Sequence, residues 1–171
     1  MPDGITAQAI PSPGRRVRTA ITAIALFGVV LLGGCNKGIS DKTIAFSTLD
    51  EVRELQAADA AEPRTLVLID PRPLRRYAEG HIPGALSLQL SETPTYGGRD
   101  ARLVGHANLI VYGENPASPT ARAMTKRLLA IGYTGVRMYR GGIEEWIRAD
   151  LPVERSELPV DEDGELQPVP R

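Results

Sequence analysis

The chain has 171 residues, 42% of them hydrophobic, and a formal net charge of -1 at pH 7; this length predicts one domain with a hydrophobic core. A near-neutral charge argues against nucleic acid as a partner, because proteins that bind it display a basic patch or stripe. There is one cysteine, Cys35, and the histidines His81 and His106 stand apart in the sequence. This composition excludes an intramolecular disulfide and a multi-cysteine metal site. We therefore expect no nucleic acid, no metal and no cofactor.

The amino terminus has the organisation of a targeting segment. Arginines precede an apolar stretch, residues 19–32, which runs into Leu-Gly-Gly-Cys ending at Cys35. The stretch is short for a helix that spans a bilayer and has the length of a signal-peptide core. An uncleaved short membrane anchor and a buried helix are the alternatives. The tetrapeptide resembles the lipobox of bacterial lipoproteins.

That resemblance implies a cleaved signal peptide at residues 1–34, and a diacylglycerol and a further acyl chain such as palmitate on Cys35. Two or more acyl chains hold a protein stably at a membrane. Residues 35–43 would then be a lipidated tether. The expected location is the cell membrane or the outer membrane, facing the periplasm or the cell exterior. An envelope protein is the expected partner, and the choice between the two membranes stays open.

The next elements alternate in type. Residues 43–46 could form a first strand, and Thr48 with Glu51 three residues later is a capping-box pattern that begins a helix. Residues 66–69 are a continuous apolar run, typical of a strand buried on both faces of a parallel sheet. The order strand, helix, strand predicts an α/β fold.

A second continuous apolar run, residues 109–112, ends at Gly113. Ser118 and Pro119 together are a helix start, because serine caps the first free amides and proline fits the first helical position. The apolar face of that helix continues to Gly132, which supplies a left-handed stop. The loop between strand and helix follows the carboxyl end of a buried strand, where α/β domains place their sites. It is the candidate site.

Several short motifs surround these runs in a fixed order. They are Asp70-x-Arg72, Tyr77, Gly80-His81-Ile82-Pro83-Gly84-Ala85, Gly132-Tyr133, a strand at 136–139 and Gly141-Gly142-Ile143-x-x-Trp146. Together they resemble the rhodanese-like domain over residues 44–152. The resemblance implies a single domain with a central, mostly parallel sheet of about five strands flanked by helices.

The resemblance also implies a set of scaffold residues: Asp70, Arg72, His81, Gly84, Gly141, Gly142 and Trp146. Asp70 and Arg72 follow a strand and could pair with each other or with the next turn, which favours a structural role over a chemical one. Trp146 is most simply a core residue. Residues 86–90 alternate as a half-buried strand, and residues 93–105 read as a loop or a loosely packed helix.

Residues 153–171 are rich in proline and acidic residues and are predicted to be a disordered tail. A solvated end is the simplest interpretation of such a composition. A strap that binds a partner is the alternative.

In active members of the family, the loop after the central strand begins with a cysteine, which carries sulfur as a persulfide or attacks a phosphate. Gly113 stands at that position here. The rest of the loop contains no arginine, has two prolines without an N–H to donate, and places Glu114 beside the missing nucleophile. We expect the loop to have lost its anion chemistry and the domain to have no catalytic residue. Ser118 or Thr120 could replace the thiolate only with a base to activate the hydroxyl.

The loop is instead a candidate binding site, formed by Gly113, Glu114, Asn115, Ala117 and Ser118. The leading hypothesis is a membrane-anchored, extracytoplasmic lipoprotein that acts as a binding or regulatory module without sulfurtransferase activity. One alternative is a sulfurtransferase-type enzyme that handles thiosulfate or persulfide sulfur with a non-standard or borrowed nucleophile. Another is a structural envelope protein in which the domain is a spacer.

Overall fold

The structure is a computed structural model that describes residues 39–95 and 97–158. The predicted signal peptide, the predicted lipidation site Cys35 and the last part of the predicted tail lie outside these residues. The chain divides into two units, residues 1–36 and 37–171. Within the described residues, no helix has both the length and the apolar character that crossing a membrane requires.

In the described part of the chain, five parallel strands form one sheet, which confirms the predicted α/β class. The strands are β1 (Ala45–Ser47), β2 (Leu66–Asp70), β3 (Leu86–Ser87), β4 (Asn108–Tyr112) and β5 (Val136–Tyr139). Their order across the sheet is β1-β5-β4-β2-β3, and every neighbouring pair is parallel. β1 and β3 are therefore the two edges.

Among the residues that the structure describes, four α-helices connect and cover the strands. They are α1 (Leu49–Ala61), α2 (Leu74–Glu79), α3 (Pro119–Ile131) and α4 (Gly142–Arg148), with a 3-10 turn at Asp41–Thr43 before β1. The capping box at Thr48 forms as predicted, with both reciprocal hydrogen bonds to Glu51 present. The predicted ends of α3 are also confirmed, since Ser118 caps its first turn and Gly132 follows its last turn with a φ of 93°.

The sheet is covered on both faces by apolar side chains, as continuous apolar strands require. The face under α3 includes Val111, Met124 and Leu128, all fully buried. The opposite face, under α1 and α4, includes Val52, Ile110 and Trp146. Trp146 is 2% exposed and belongs to the core, as expected from the sequence.

Two predicted strands differ in the structure. The first strand begins two residues later than predicted, at Ala45. The predicted strand at 86–90 shortens to two residues, because β2 ends at Asp70 and offers β3 only two paired positions. Residues 101–105 form turns, in keeping with the loop predicted for residues 93–105, and Leu103 within them is buried in the core under α3.

The carboxyl ends of β2 and β4 lie side by side at a topological switch point. β2 leads through α2 to β3 on one side of the sheet, whereas β4 leads through α3 to β5 on the other. Connections that leave two adjacent parallel strands in opposite directions open a crevice between them. The loop after β4, residues 113–118, lies at this crevice.

Candidate functional site

The candidate loop has no room for a side chain at its first position. A Cβ placed on Gly113 would overlap both Oγ and Cβ of Ser118 and would lie 3.0 Å from Cβ of Ala121. Ser118 itself is 5% exposed. Its hydroxyl accepts a hydrogen bond from the amide of Ala121 at 3.4 Å, which caps α3. The side-chain space of residue 113 is therefore filled by the helix cap.

The first turn of α4 holds the loop backbone from the other side. The amides of Ile143 and Glu144 donate to the carbonyls of Gly113 and Glu114 at 2.9 and 3.0 Å. Gly142 has a φ of 65°, and a Cβ there would lie 2.6 Å from the Gly113 oxygen. A side chain at position 142 would therefore separate the two segments, which explains glycine in this part of the motif.

Arg72 connects three parts of the site from a buried position. Its guanidinium donates to both oxygens of Asp70, with Nε to Oδ1 at 3.0 Å and Nη2 to Oδ2 at 2.8 Å. It also donates to the carbonyl of Gly80 at 2.7 Å and to Oε2 of Glu114 at 3.1 Å. Burial alone would lower the pKa of Arg72, but its hydrogen bonds to Asp70 and Glu114 outweigh burial and raise it.

The pairing that the sequence suggested for Asp70 and Arg72 therefore forms and extends to the candidate loop. Asp70 is 0% exposed, and a buried carboxylate needs such a partner because isolated charges are costly to bury. The sequence did not indicate the hydrogen bond between Arg72 and Glu114, because Arg72 follows β2 whereas Glu114 follows β4. It results from the pairing of β2 with β4.

A pocket of about 410 Å³ lies between the loop and the start of α2. Arg72 and Arg76 contribute to its wall, so the absence of arginine from the loop itself does not leave the pocket without cations. Both cations are matched, because Arg72 pairs with Asp70 and Glu114 and Arg76 lies 3.0 Å from Glu79.

The other polar groups of the loop bond to one another or to a neighbouring helix. Asn115 accepts from the amide of Ala117 at 3.0 Å and donates to Glu144 at 3.2 Å. The hydroxyls of Ser118 and Thr120 are 3.1 Å apart. In the part of the chain that the structure describes, the hydrogen bonds of Ser118 Oγ are to Thr120 and Ala121, and neither partner is a base that could activate a hydroxyl.

His81 lies in a different part of the site and contacts residues after α4. It is 3% exposed and stacks on Tyr77 with 3.7 Å between ring centroids. Its backbone exchanges two hydrogen bonds of 2.9 Å with Glu154. Glu154 also accepts from the amide of Gly84 at 3.0 Å, where φ is 74°.

Residues 153–158, which the sequence assigns to a disordered tail, are thus bonded to the domain as far as Ser156, whose amide donates to Ala78 at 3.2 Å. This segment is too short to show the alternation of apolar and polar residues that predicts a strand. The antiparallel bridge between His81 and Glu154 is a backbone contact that composition does not reveal.

Gly141 contacts Glu145, whose carboxylate occupies the space that a Cβ at position 141 would need. Among the described residues, no group of three or more His, Cys, Asp or Glu side chains is arranged to hold a metal ion. The site thus consists of a backbone loop, a buried arginine network and a helix cap.

Comparisons with known proteins agree on the fold. A family model described as a rhodanese-like domain matches residues 48–149. No curated protein sequence matches the chain significantly.

Among solved structures, thiosulfate sulfurtransferase from Pseudomonas aeruginosa is 24% identical with a TM-score of 0.53, and the match covers 68% of this chain and 21% of that one. The BH2092 protein from Bacillus halodurans is 22% identical with a TM-score of 0.52, covering 67% and 79%. A Rhodopseudomonas palustris protein described as a possible tyrosine phosphatase is 21% identical with a TM-score of 0.52, covering 66% and 86%.

Proposed function

We propose that this chain, which belongs to the family of rhodanese-like domains, is a lipid-anchored bacterial envelope protein that binds or regulates a partner and does not transfer sulfur. The observation that carries the proposal is the filled side-chain space at Gly113. The Ser118 cap occupies the place where a nucleophile at that position would begin. The loop therefore packs in a way that requires glycine at position 113.

Sulfur transfer by a thiolate would need a cysteine at the loop, because the thiolate is the attacking species. The single cysteine of the chain is Cys35, within the segment that resembles a lipobox. Lipidation of its sulfur would remove the last free thiol. The hydroxyl of Ser118 is no substitute, since it caps α3 and bonds to Thr120.

A binding role is supported by how firmly the loop is held. Gly113 and Glu114 accept hydrogen bonds from α4, and Glu114 is also bonded to the buried Arg72. A loop fixed in this way loses little conformational entropy when a partner contacts it. Its outer residue Ala117 is exposed beside the 410 Å³ pocket. A partner could therefore bind the loop without changing its conformation.

The membrane anchor is supported by the order of arginines, apolar stretch and Leu-Gly-Gly-Cys before the domain. Mass spectrometry of the mature amino terminus tests it directly. We expect a peptide that begins at Cys35 with the mass of a diacylglycerol and an acyl chain. A peptide with an unmodified Cys35 would contradict lipid anchoring.

The binding role can be tested by site-specific photocrosslinking in the native envelope. A photo-reactive residue replaces Ala117 on the loop, and the matched control replaces Ala57, which is an exposed alanine on α1. We expect a discrete protein adduct from position 117 and none from position 57. Equal labelling from both positions would contradict a loop-specific partner. A persulfide on the captured protein that depends on this chain would instead favour an enzyme with a borrowed cysteine.

A further inference from the structure

A second pocket, of about 350 Å³, lies on the other side of the candidate loop. It is formed at the carboxyl ends of β1 and β5, where Arg140 donates its amide to the carbonyl of Ser47 at 3.2 Å. The loop separates the two pockets, because Pro116 lines this one whereas Asn115 and Ala117 line the other. The volume is in the range of pockets that hold small ligands.

The polar side chains that line this pocket include Ser47, Arg140 and Glu145. Ser47 is 2% exposed, and its hydroxyl makes no hydrogen bond. Arg140 is exposed and Glu145 is partly buried, and the Glu145 carboxylate interacts with the hydroxyl of Tyr139. Within residues 39–95 and 97–158, neither charge has an oppositely charged group within 4.0 Å. A buried hydroxyl without a partner is costly, and natural structures leave few such groups. The Ser47 hydroxyl, which has no partner among the described residues, lies beside two charges that form no ion pair there, which indicates a place where a ligand can bind.

The two charged side chains are held in defined places. The guanidinium of Arg140 lies over the ring of Phe46, 5.4 Å from its centroid, which is a favourable cation–π position. The carboxylate of Glu145 lies against Gly141. The buried hydroxyl of Tyr139, on β5, lies beside the Glu145 carboxylate. Burial and the neighbouring Glu145 carboxylate raise the pKa of Tyr139, so this group stays neutral.

The rest of the lining is apolar. Phe46 is 40% exposed although it is a large aromatic residue, and Leu49 and Pro116 complete the apolar wall. A ligand that fits must therefore combine an apolar body with groups for a cation, an anion and a hydroxyl. These are the groups of a zwitterion with a hydrophobic side chain.

We propose that this pocket binds a free α-amino acid with an apolar side chain. Its carboxylate would bind Arg140 and the hydroxyl of Ser47, and its ammonium group would bind Glu145. The side chain would lie against Phe46, Leu49 and Pro116. This site does not depend on the proposed role of the loop after β4.

Isothermal titration calorimetry of the full-length chain with L-phenylalanine and L-leucine tests the proposal. Phenethylamine, which lacks the carboxylate, and N-acetyl-L-phenylalanine, which lacks the ammonium group, should each bind roughly tenfold more weakly, because each lacks one of the two charged groups that Arg140 and Glu145 would bind. These comparisons use the wild-type chain, so they stand even where a variant fails to fold. Equal affinity for N-acetyl-L-phenylalanine amide would overturn the proposal in favour of a protein side chain as the occupant.

Two variants assign the contacts. Arg140→Gln and Glu145→Gln should each weaken phenylalanine binding roughly tenfold or more. Arg148→Gln and Asp150→Asn, which change exposed residues near the end of α4, should leave it unchanged. Absence of heat and of any thermal shift with the wild-type chain at millimolar amino acid would overturn the proposal. Binding that both pocket variants retain in full would do the same.

Discussion

Replacing Gly113 with alanine should destabilise the domain, although the backbone there permits alanine. Gly113 is not among the glycines with positive φ, so the loss of freedom in the unfolded chain would by itself stabilise the variant by about 0.4–1 kcal/mol. Against this, the new methyl group overlaps the Ser118 side chain, and overpacking costs about 1–3 kcal/mol. Displacing the Ser118 cap costs about 1 kcal/mol more. The free energy of unfolding should fall by roughly 1–4 kcal/mol.

Urea unfolding of Gly113→Ala beside two double variants identifies the cause. Adding Ser118→Gly removes both overlapping atoms, and a glycine cap costs only a few tenths of a kcal/mol relative to serine, so most of the stability should return. Adding Ser118→Ala removes only the hydroxyl and leaves the overlapping Cβ, so stability should stay low. A Gly113→Ala variant that unfolds at the wild-type urea concentration would refute the overlap with Ser118. Equal recovery by both double variants would do the same.

Three further perturbations have defined outcomes. Arg72→Met leaves the buried carboxylate of Asp70 unpaired and should cost about 3–5 kcal/mol in urea unfolding; a loss below 1 kcal/mol would contradict the buried network. The pKa of Asp59 is lowered by hydrogen bonds that its carboxylate accepts from the backbone amides at and just before the start of β2. The stability that Asp59 contributes is therefore present above the unfolded pKa near 3.9 and is lost as pH falls through the folded value. The stability advantage of wild type over Asp59→Ala should therefore shrink below about pH 4, and an advantage independent of pH would refute this. Deleting residues 152–171 removes the carbonyl to which Trp146 Nε1 donates at 2.8 Å and should red-shift the emission of this single tryptophan; an unchanged spectrum would show that these residues do not seal the core.

The elements of the fold were predictable because local patterns and burial agree. The apolar run before Gly113 is a buried parallel strand, and Ser118 with Pro119 begins a helix. The capping box at Thr48 needs only residues three apart. Such signals are encoded within a few positions, so the sequence alone reveals them.

The site was less predictable because its contacts join distant segments. The bond between Arg72 and Glu114 depends on the pairing of β2 with β4. The overlap of Ser118 with the side-chain space of Gly113 depends on the angle at which α3 leaves the loop. Glu154 meets His81 through backbone hydrogen bonds, which any residue types could make. None of these contacts leaves a periodic signal in the sequence.

Thiocyanate formation from thiosulfate and cyanide measures directly whether this domain transfers sulfur. The full-length chain and Cys35→Ser, which contains no thiol, are assayed beside Gly113→Cys/Ser118→Gly, in which a cysteine at the loop has room for its Cβ. We predict no thiocyanate above the protein-free background from the first two proteins. Sustained turnover by the Cys35→Ser chain would contradict it, because the domain would then transfer sulfur without a cysteine.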